Sequence, residues 1–213
     1  PSLQVLERLD LATAFVDAGL RIDTAVVHDE RRLLGRMTFC GLPGGYPFIL
    51  SIPQADTVQL LRERLETFPT VPYFPVSSVV SLSQSDTGVS VRLTQGGEEC
   101  VWHASLVVGC DGIRSTVRHL AGIRSVEQDY GCSFLMGDFE DRTGLDAEAH
   151  LFFTARGSVE SFPLPQHRRR WIVQTDAHTP EPGAGFLEDR IEALSGFDVR
   201  DSRRLWQSAF STG

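Results

Sequence analysis

The sequence predicts an α/β chain in which antiparallel strands outnumber helices. Three observations carry that expectation. Several segments alternate apolar and polar residues with period two, among them Val26 to His28, Val89 to Thr94 and most of the chain beyond residue 126. Gln54 to Glu66, just after Pro53, repeats Val58, Leu61 and Leu65 at helical spacing. A short apolar run, Ser105 to Gly109, passes through Cys110, Asp111 and Gly112 into a second helical stretch.

Leu3, Leu6 and Leu9, then Ala14, Phe15 and Ala18, predict two short helical pieces broken near Asp10. Ser2 is expected to cap the first, and Gly19 to end the second in a left-handed conformation. From Thr24 to Ser51, Val26 and His28, then Met37 and Phe39 against Arg36 and Thr38, predict at least two half-buried strands around a charged turn at 29–32. Arg62, Glu63 and Arg64 mark the solvent side of the helix at 54–66.

Pro69, Pro72 and Pro75 forbid its continuation. Strands at Val76–Leu82, Val89–Thr94 and Glu99–Trp102, with turn residues at 85–88 and 95–97, predict an antiparallel meander. The run at 105–109 reads as a strand buried on both faces, followed by an acidic turn and a helix to Ala121 ended by Gly122. Further strands are expected at Phe134–Phe139, His150–Thr154, Val159–Leu164, Trp171–Gln174 and Arg204–Phe210, with a helix at Phe186–Leu194 and a loose loop at 180–185.

The 213 residues are 41% hydrophobic and 23% charged, which excludes disorder, collagen and small disulfide scaffolds. Twenty basic against 28 acidic residues give −8, and the longest basic run is Arg168–Arg170, so no nucleic-acid partner is expected. All basic residues are Arg, and neither Lys nor Asn occurs. Schiff-base lysine chemistry, lysine phosphate loops and N-glycosylation are therefore excluded. Cys40, Cys100, Cys110 and Cys132 lie far apart without CxxC or histidines at ligand spacing, so no metal is expected. No segment approaches the ~20 apolar residues of a membrane span, and a cytoplasmic setting is expected.

Chemistry concentrates in VVGCDGIRSTVRHLAGI, residues 107–123. Free amides at a helix start attract anions, and a residue without a Cβ lets a bulky ligand approach the main chain. A carboxylate at Asp111 offers acceptors to ribose or ribityl hydroxyls, Ser115 or Thr116 can cap the helix, and Arg114 or Arg118 can neutralise a diphosphate. These residues read as part of a dinucleotide site.

The segment resembles the Asp-Gly motif of the class A flavoprotein monooxygenases, the aromatic-ring hydroxylases similar to para-hydroxybenzoate hydroxylase. Gly109, Asp111, Gly112, Ser115, Val117 and Arg118 match that pattern. LQVLERLDLATAFVDAGLRI resembles the family's paired helices, with Asp10 where a glycine is usual, and YPFILSIPQADTVQLLRERL resembles the strand, Pro-Gln turn and helix along the flavin. VVSLSQSDTGVSVRL resembles the meander before the motif. The implied fold is para-hydroxybenzoate hydroxylase-like: part of an FAD/NAD(P)-binding domain beside a mainly antiparallel substrate-binding sheet.

The implied activity is hydroxylation of an aromatic or polyketide-like small molecule, using FAD and NADPH or NADH. Asp111 and Gly112 would lie at the FAD diphosphate, Arg118, Arg114 and Ser115 would support that loop, and Gln54 would contact the ribityl or phosphate part. Phe134, Phe152, Phe162 and Trp171 would line the substrate pocket, and no catalytic acid or base is assigned. The expected division is 1–19 as helices of the FAD side, 20–52 as substrate-domain strands, 53–125 as the FAD-binding part, and 126–213 as the substrate sheet.

The sequence departs from the pattern in lacking GxGxxG and the later Gly-Asp motif; Gly137-Asp138, followed by Phe139, Glu140 and Asp141, only imitates the latter. A central fragment of a longer enzyme is expected, inactive and a poor FAD binder by itself. Two alternatives stay open: a non-catalytic small-molecule or protein-binding module on this fold, and a related flavin halogenase or reductase. Asp138, Glu140 and Asp141 are expected in a solvated turn, Arg168–Arg170 in a solvated hairpin, and His28, His103, His119, His150, His167 and His178 in solvated or local roles.

Overall fold

The computed structural model describes residues 2–30, 32–126, 128, 130–176 and 182–212. The chain begins with α1 (Ser2–Glu7), α2 (Ala12–Ala18), β1 (Leu20–Ile22), β2 (Thr24–His28), β3 (Leu33–Thr38), β4 (Ile49–Ser51) and α3 (Gln54–Glu66). The meander follows as β5 (Ser77–Ser85), β6 (Gly88–Gln95) and β7 (Glu98–Ala104), then α4 (Thr116–Leu120). The remainder is β8 (Cys132–Glu140), β9 (Ala149–Thr154), β10 (Gly157–Leu164), β11 (Arg168–Thr175), α5 (Phe186–Ser195) and β12 (Arg204–Thr212). No helix is long and apolar enough to cross a membrane, among the described residues.

Two compact units share the chain: Pro1–Thr67 with Asp129–Gly213, and Phe68–Gln128. Helix α3 groups with the first unit.

The first unit is built on a seven-stranded sheet ordered β12-β8-β11-β10-β9-β2-β3. Every pairing is antiparallel except β2 with β9, which run parallel because long intervening chain separates them. Alternation along β8, β10 and β11 sends Leu135, Phe139, Val159, Trp171 and Val173 to one face, where Leu187, Ile191 and Leu194 of α5 seal the main core. Gly137 leaves room for α5: a Cβ there would come within 2.6 Å of Leu187 Cδ2. A smaller core joins Leu3, Leu11 and Phe15 to Leu50, Ile52 and Leu60.

Asp10 occupies the break between α1 and α2 at φ 58°, the left-handed region that glycine adopts without cost and Asp tolerates. Gly19 differs from expectation, being extended at φ −98° and ψ −179°. Its reason is space, since a Cβ would approach Leu50 Cδ1 to 2.7 Å. The loop expected at 180–185 falls partly outside the described residues, which resume at Pro182.

The second unit is the three-stranded antiparallel sheet β5-β6-β7 with α4 against β5. Residues 105–109 are not a strand here, which corrects the expectation of a doubly buried one. A strand needs a partner for its amides and carbonyls, and no described segment pairs with this one. Leu106 and Val108 accordingly stand 76% and 72% exposed.

Candidate functional site: the Asp111 loop and the open sheet face

Five of the six expected cofactor residues, Asp111, Gly112, Arg114, Ser115 and Arg118, lie in one turn of the second unit. Ser115 caps α4, its Oγ accepting the Arg118 amide at 3.0 Å. The Ser115 hydroxyl donates to Asp111 Oδ1, and the Val117 amide donates to Asp111 Oδ2 at 3.0 Å. Those two donors hold the Asp111 carboxyl below the usual carboxylate range, the Ser115 hydroxyl first. The result is a fixed, ionised and exposed carboxylate.

Gly112 turns the loop at φ 82°, and nothing lies within 4 Å of where its Cβ would stand, so the main chain is approachable there. Gly109 is different: a Cβ would meet Val117 side-chain atoms at 3.0 Å, so this glycine permits close packing of the loop on α4. Arg118 folds back and donates Nη2 to the Ile113 carbonyl at 2.6 Å, stiffening the turn. Arg114 is exposed and has no ion pair among the described residues. A cavity of about 720 Å³ opens beside the loop, lined by Gly109, Gly112, Ser115 and Arg118 with the β5–β6 turn.

Helix α4 has only five residues, and its Val117 and Arg118 amides are already taken by Asp111 and Ser115. An anion-attracting helix start is thus weaker than the sequence suggested. The turn instead presents acceptors, suited to sugar or ribityl hydroxyls. Gln54 begins α3 in the first unit, after Pro53, and is exposed.

The four expected pocket aromatics divide between the faces of the large sheet. Trp171 and Phe152 lie in the core beneath α5, Trp171 fully buried, with ring centroids 6.4 Å apart. Phe134 is on the opposite face, stacked on Phe210 at 5.3 Å, and Phe162 packs with Ile22, Ala25 and Ala149. The register across that open face runs Val27, Leu151, Glu160, Ile172, Met136.

Two other expectations are corrected together. Arg168–Arg170 is not a solvated hairpin, and the acidic run is not a solvated turn: they face each other across β11 and β8. Arg170 grips Asp138 with two hydrogen bonds of 2.7 and 2.9 Å, and wholly buried Arg169 donates to Asp141 at 2.7 Å. Each run read alone resembles a surface turn; only the pairing reveals the partners. His28 and His150 likewise meet, Nε2 to Nδ1 at 3.0 Å, from strands 122 positions apart, while His103 bonds Ser90. His178 lies outside the described residues.

Comparison with known proteins then decides the family. The family model described as "FAD binding domain" matches residues 1–197. The chain belongs to the FAD-dependent aromatic-ring monooxygenases. Among family members, pentachlorophenol 4-monooxygenase of Sphingobium chlorophenolicum is 30% identical over 203 residues, covering 92% of this chain and 37% of that protein. A 6-methylpretetramide 4-monooxygenase of Streptomyces rimosus is 29% identical, with 98% and 38% covered. The chain thus spans about two fifths of these curated relatives. The p-nitrophenol 4-monooxygenase PnpA of Pseudomonas putida DLL-E4 superposes with a TM-score of 0.86 at 17% identity, over 99% of this chain and 55% of that one. The α/β architecture expected from the sequence is therefore the architecture of these monooxygenases.

Proposed function

We propose that this chain is the central portion of an FAD-dependent, NAD(P)H-using hydroxylase that acts on an aromatic or polyketide-like small molecule. The carrying observation is the Asp111 carboxylate, ionised, exposed and held by Ser115 and Val117 beside an approachable main chain at Gly112. That donor and acceptor set fits the hydroxyl-bearing part of a flavin nucleotide. Bound FAD supplies the electron transfer and oxygen chemistry.

In this reading Asp111 accepts from ribityl or ribose hydroxyls, and Ser115 keeps that carboxylate charged and oriented. Gly112 admits the ligand, Arg118 stiffens the turn through the Ile113 carbonyl, and Arg114 offers a cation to the diphosphate. Gln54, at the start of α3 in the first unit, offers an exposed polar side chain of its own for the flavin nucleotide. The open sheet face, bearing Phe134 and Phe162, is the substrate side, and Phe152 and Trp171 support it from the core. The names of the relatives, which act on a chlorinated phenol and a pretetramide, support an aromatic or polyketide-like substrate.

The test uses the full-length protein containing these residues. Purified protein showing visible flavin bands, and oxidation of NADH or NADPH stimulated by phenols with a hydroxylated product, supports the proposal. A colourless protein that binds aromatics without turnover supports a non-catalytic module instead.

A further inference from the structure

Glu160 is the one carboxylate in the central row of the open sheet face. Its neighbours Val159 and Ser161 are fully buried on the α5 side, so strand alternation turns Glu160 to the other face. There it stands opposite Leu151 on β9 and Ile172 on β11, with Met136 one strand further. Cross-strand partners at that spacing pack side against side, so the carboxylate is flanked by aliphatic surface.

Its backbone is paired in the sheet, but no hydrogen bond or ion pair reaches the Glu160 carboxylate among the described residues. The nearest cation by register, Arg170, is committed to Asp138 through two hydrogen bonds and lies over the Trp206 ring at 5.4 Å. On the other side, Ser158 bonds Gln174. Both polar pairs bordering the row are satisfied internally, and Glu160 alone is left over. Half-burial among apolar side chains pushes its carboxyl above the usual range.

An unpaired carboxylate in aliphatic surroundings is costly, and a ligand that supplies the missing donor recovers that cost. The apolar row accepts a flat ring, whereas a full cation would lose its hydration there without a second acceptor to replace it. We infer that Glu160 is a specificity-determining residue that accepts a hydrogen bond from a ring hydroxyl of the aromatic substrate. This rests on reading the open sheet face as the substrate side. Selection by such an acceptor is strong, because an analogue lacking the donor leaves the carboxylate desolvated and unpaired.

The experiment compares 2-naphthol with its methyl ether, 2-methoxynaphthalene, by equilibrium dialysis against full-length wild type, Glu160→Gln and Glu160→Leu. Wild type is expected to favour the naphthol by about tenfold, the value of a hydrogen bond to a charged acceptor. Glu160→Leu is expected to bind both equally, and Glu160→Gln, which keeps an acceptor without the charge, to fall between. Equal binding of the pair by wild type, no binding of either, or a preference that survives in Glu160→Leu overturns the inference. Flavin absorbance and melting temperature of the same samples keep the outcomes apart. A colourless wild type that discriminates the pair overturns the hydroxylase reading alone, and a yellow one that does not overturns the role of Glu160 alone.

Discussion

Arg169 lies wholly inside the first unit and gives its Nε to Asp141 at 2.7 Å. Its remaining donors reach the Ser161 hydroxyl and the Glu148 carbonyl at 3.2 Å and the Asp146 carbonyl at 2.5 Å. One guanidinium thereby ties β10, β11 and the 141–148 loop together. Burial pushes the Asp141 carboxyl up, but the hydrogen bonds from the Thr143 hydroxyl and amide, then the bond and charge of Arg169, together outweigh it and hold the carboxyl below its ordinary range.

Removing one side of this pair strands the other. Arg169→Met is expected to destabilise the first unit by about 3 kcal/mol, read as a lower urea midpoint. Arg168→Met, at the strand end, is expected to change the midpoint far less.

Gly137→Ala tests the closeness of α5. The new methyl would sit 2.6 Å from Leu187 Cδ2 and 3.0 Å from Phe139 Cε2. Overpacking of a buried core costs about 1–3 kcal/mol, and Gly137→Ala combined with Leu187→Val is expected to recover part of that loss. Thermal melts of the single and double variants check it.

His150 makes the fold sensitive to acid. Burial, then the charges of His28, Arg169 and Arg36, against a smaller opposing effect of Glu148, lower its pKa from 6.5 to about 4. Above 6.5 the ring is neutral in both states; below it, the unfolded chain takes up a proton that the folded ring resists until about 4. Stability contributed by the neutral ring is thus lost as pH falls through that window. Wild type is expected to lose about 1–2 kcal/mol more than His150→Phe between neutral pH and about pH 5, measured by urea unfolding at each pH.

Ser115→Ala removes both the cap of α4 and the hydroxyl on Asp111. A cap loss of about 1 kcal/mol is expected, with faster hydrogen exchange at the Arg118 amide and an Asp111 carboxyl that titrates closer to the ordinary range. Ser115→Thr is expected to restore both.

Much of this architecture was legible because local signals agree with it. Pro53 and the spacing of Val58, Leu61 and Leu65 place α3, and the turn residues at 85–88 and 95–97 place the meander. The Asp111 turn was legible as a motif because its bonds are local, reaching only four to six residues along the chain. Long-range pairing was not legible. Arg170 with Asp138 and His28 with His150 depend on register between strands far apart in sequence. Residues 105–109 misled because an apolar run states only that it wants burial, whereas a strand also requires a partner edge. Phe152 and Trp171 take the opposite face from Phe134, a division that composition alone does not reveal because it does not tell which face of a strand a residue takes.

The most direct measurement is the FAD content of the full-length protein and its Asp111→Ala variant, purified side by side and compared at equal folded fraction. The account predicts a yellow wild type and a variant that loses flavin on dialysis while keeping its fold. Equal flavin retention by the two would contradict it.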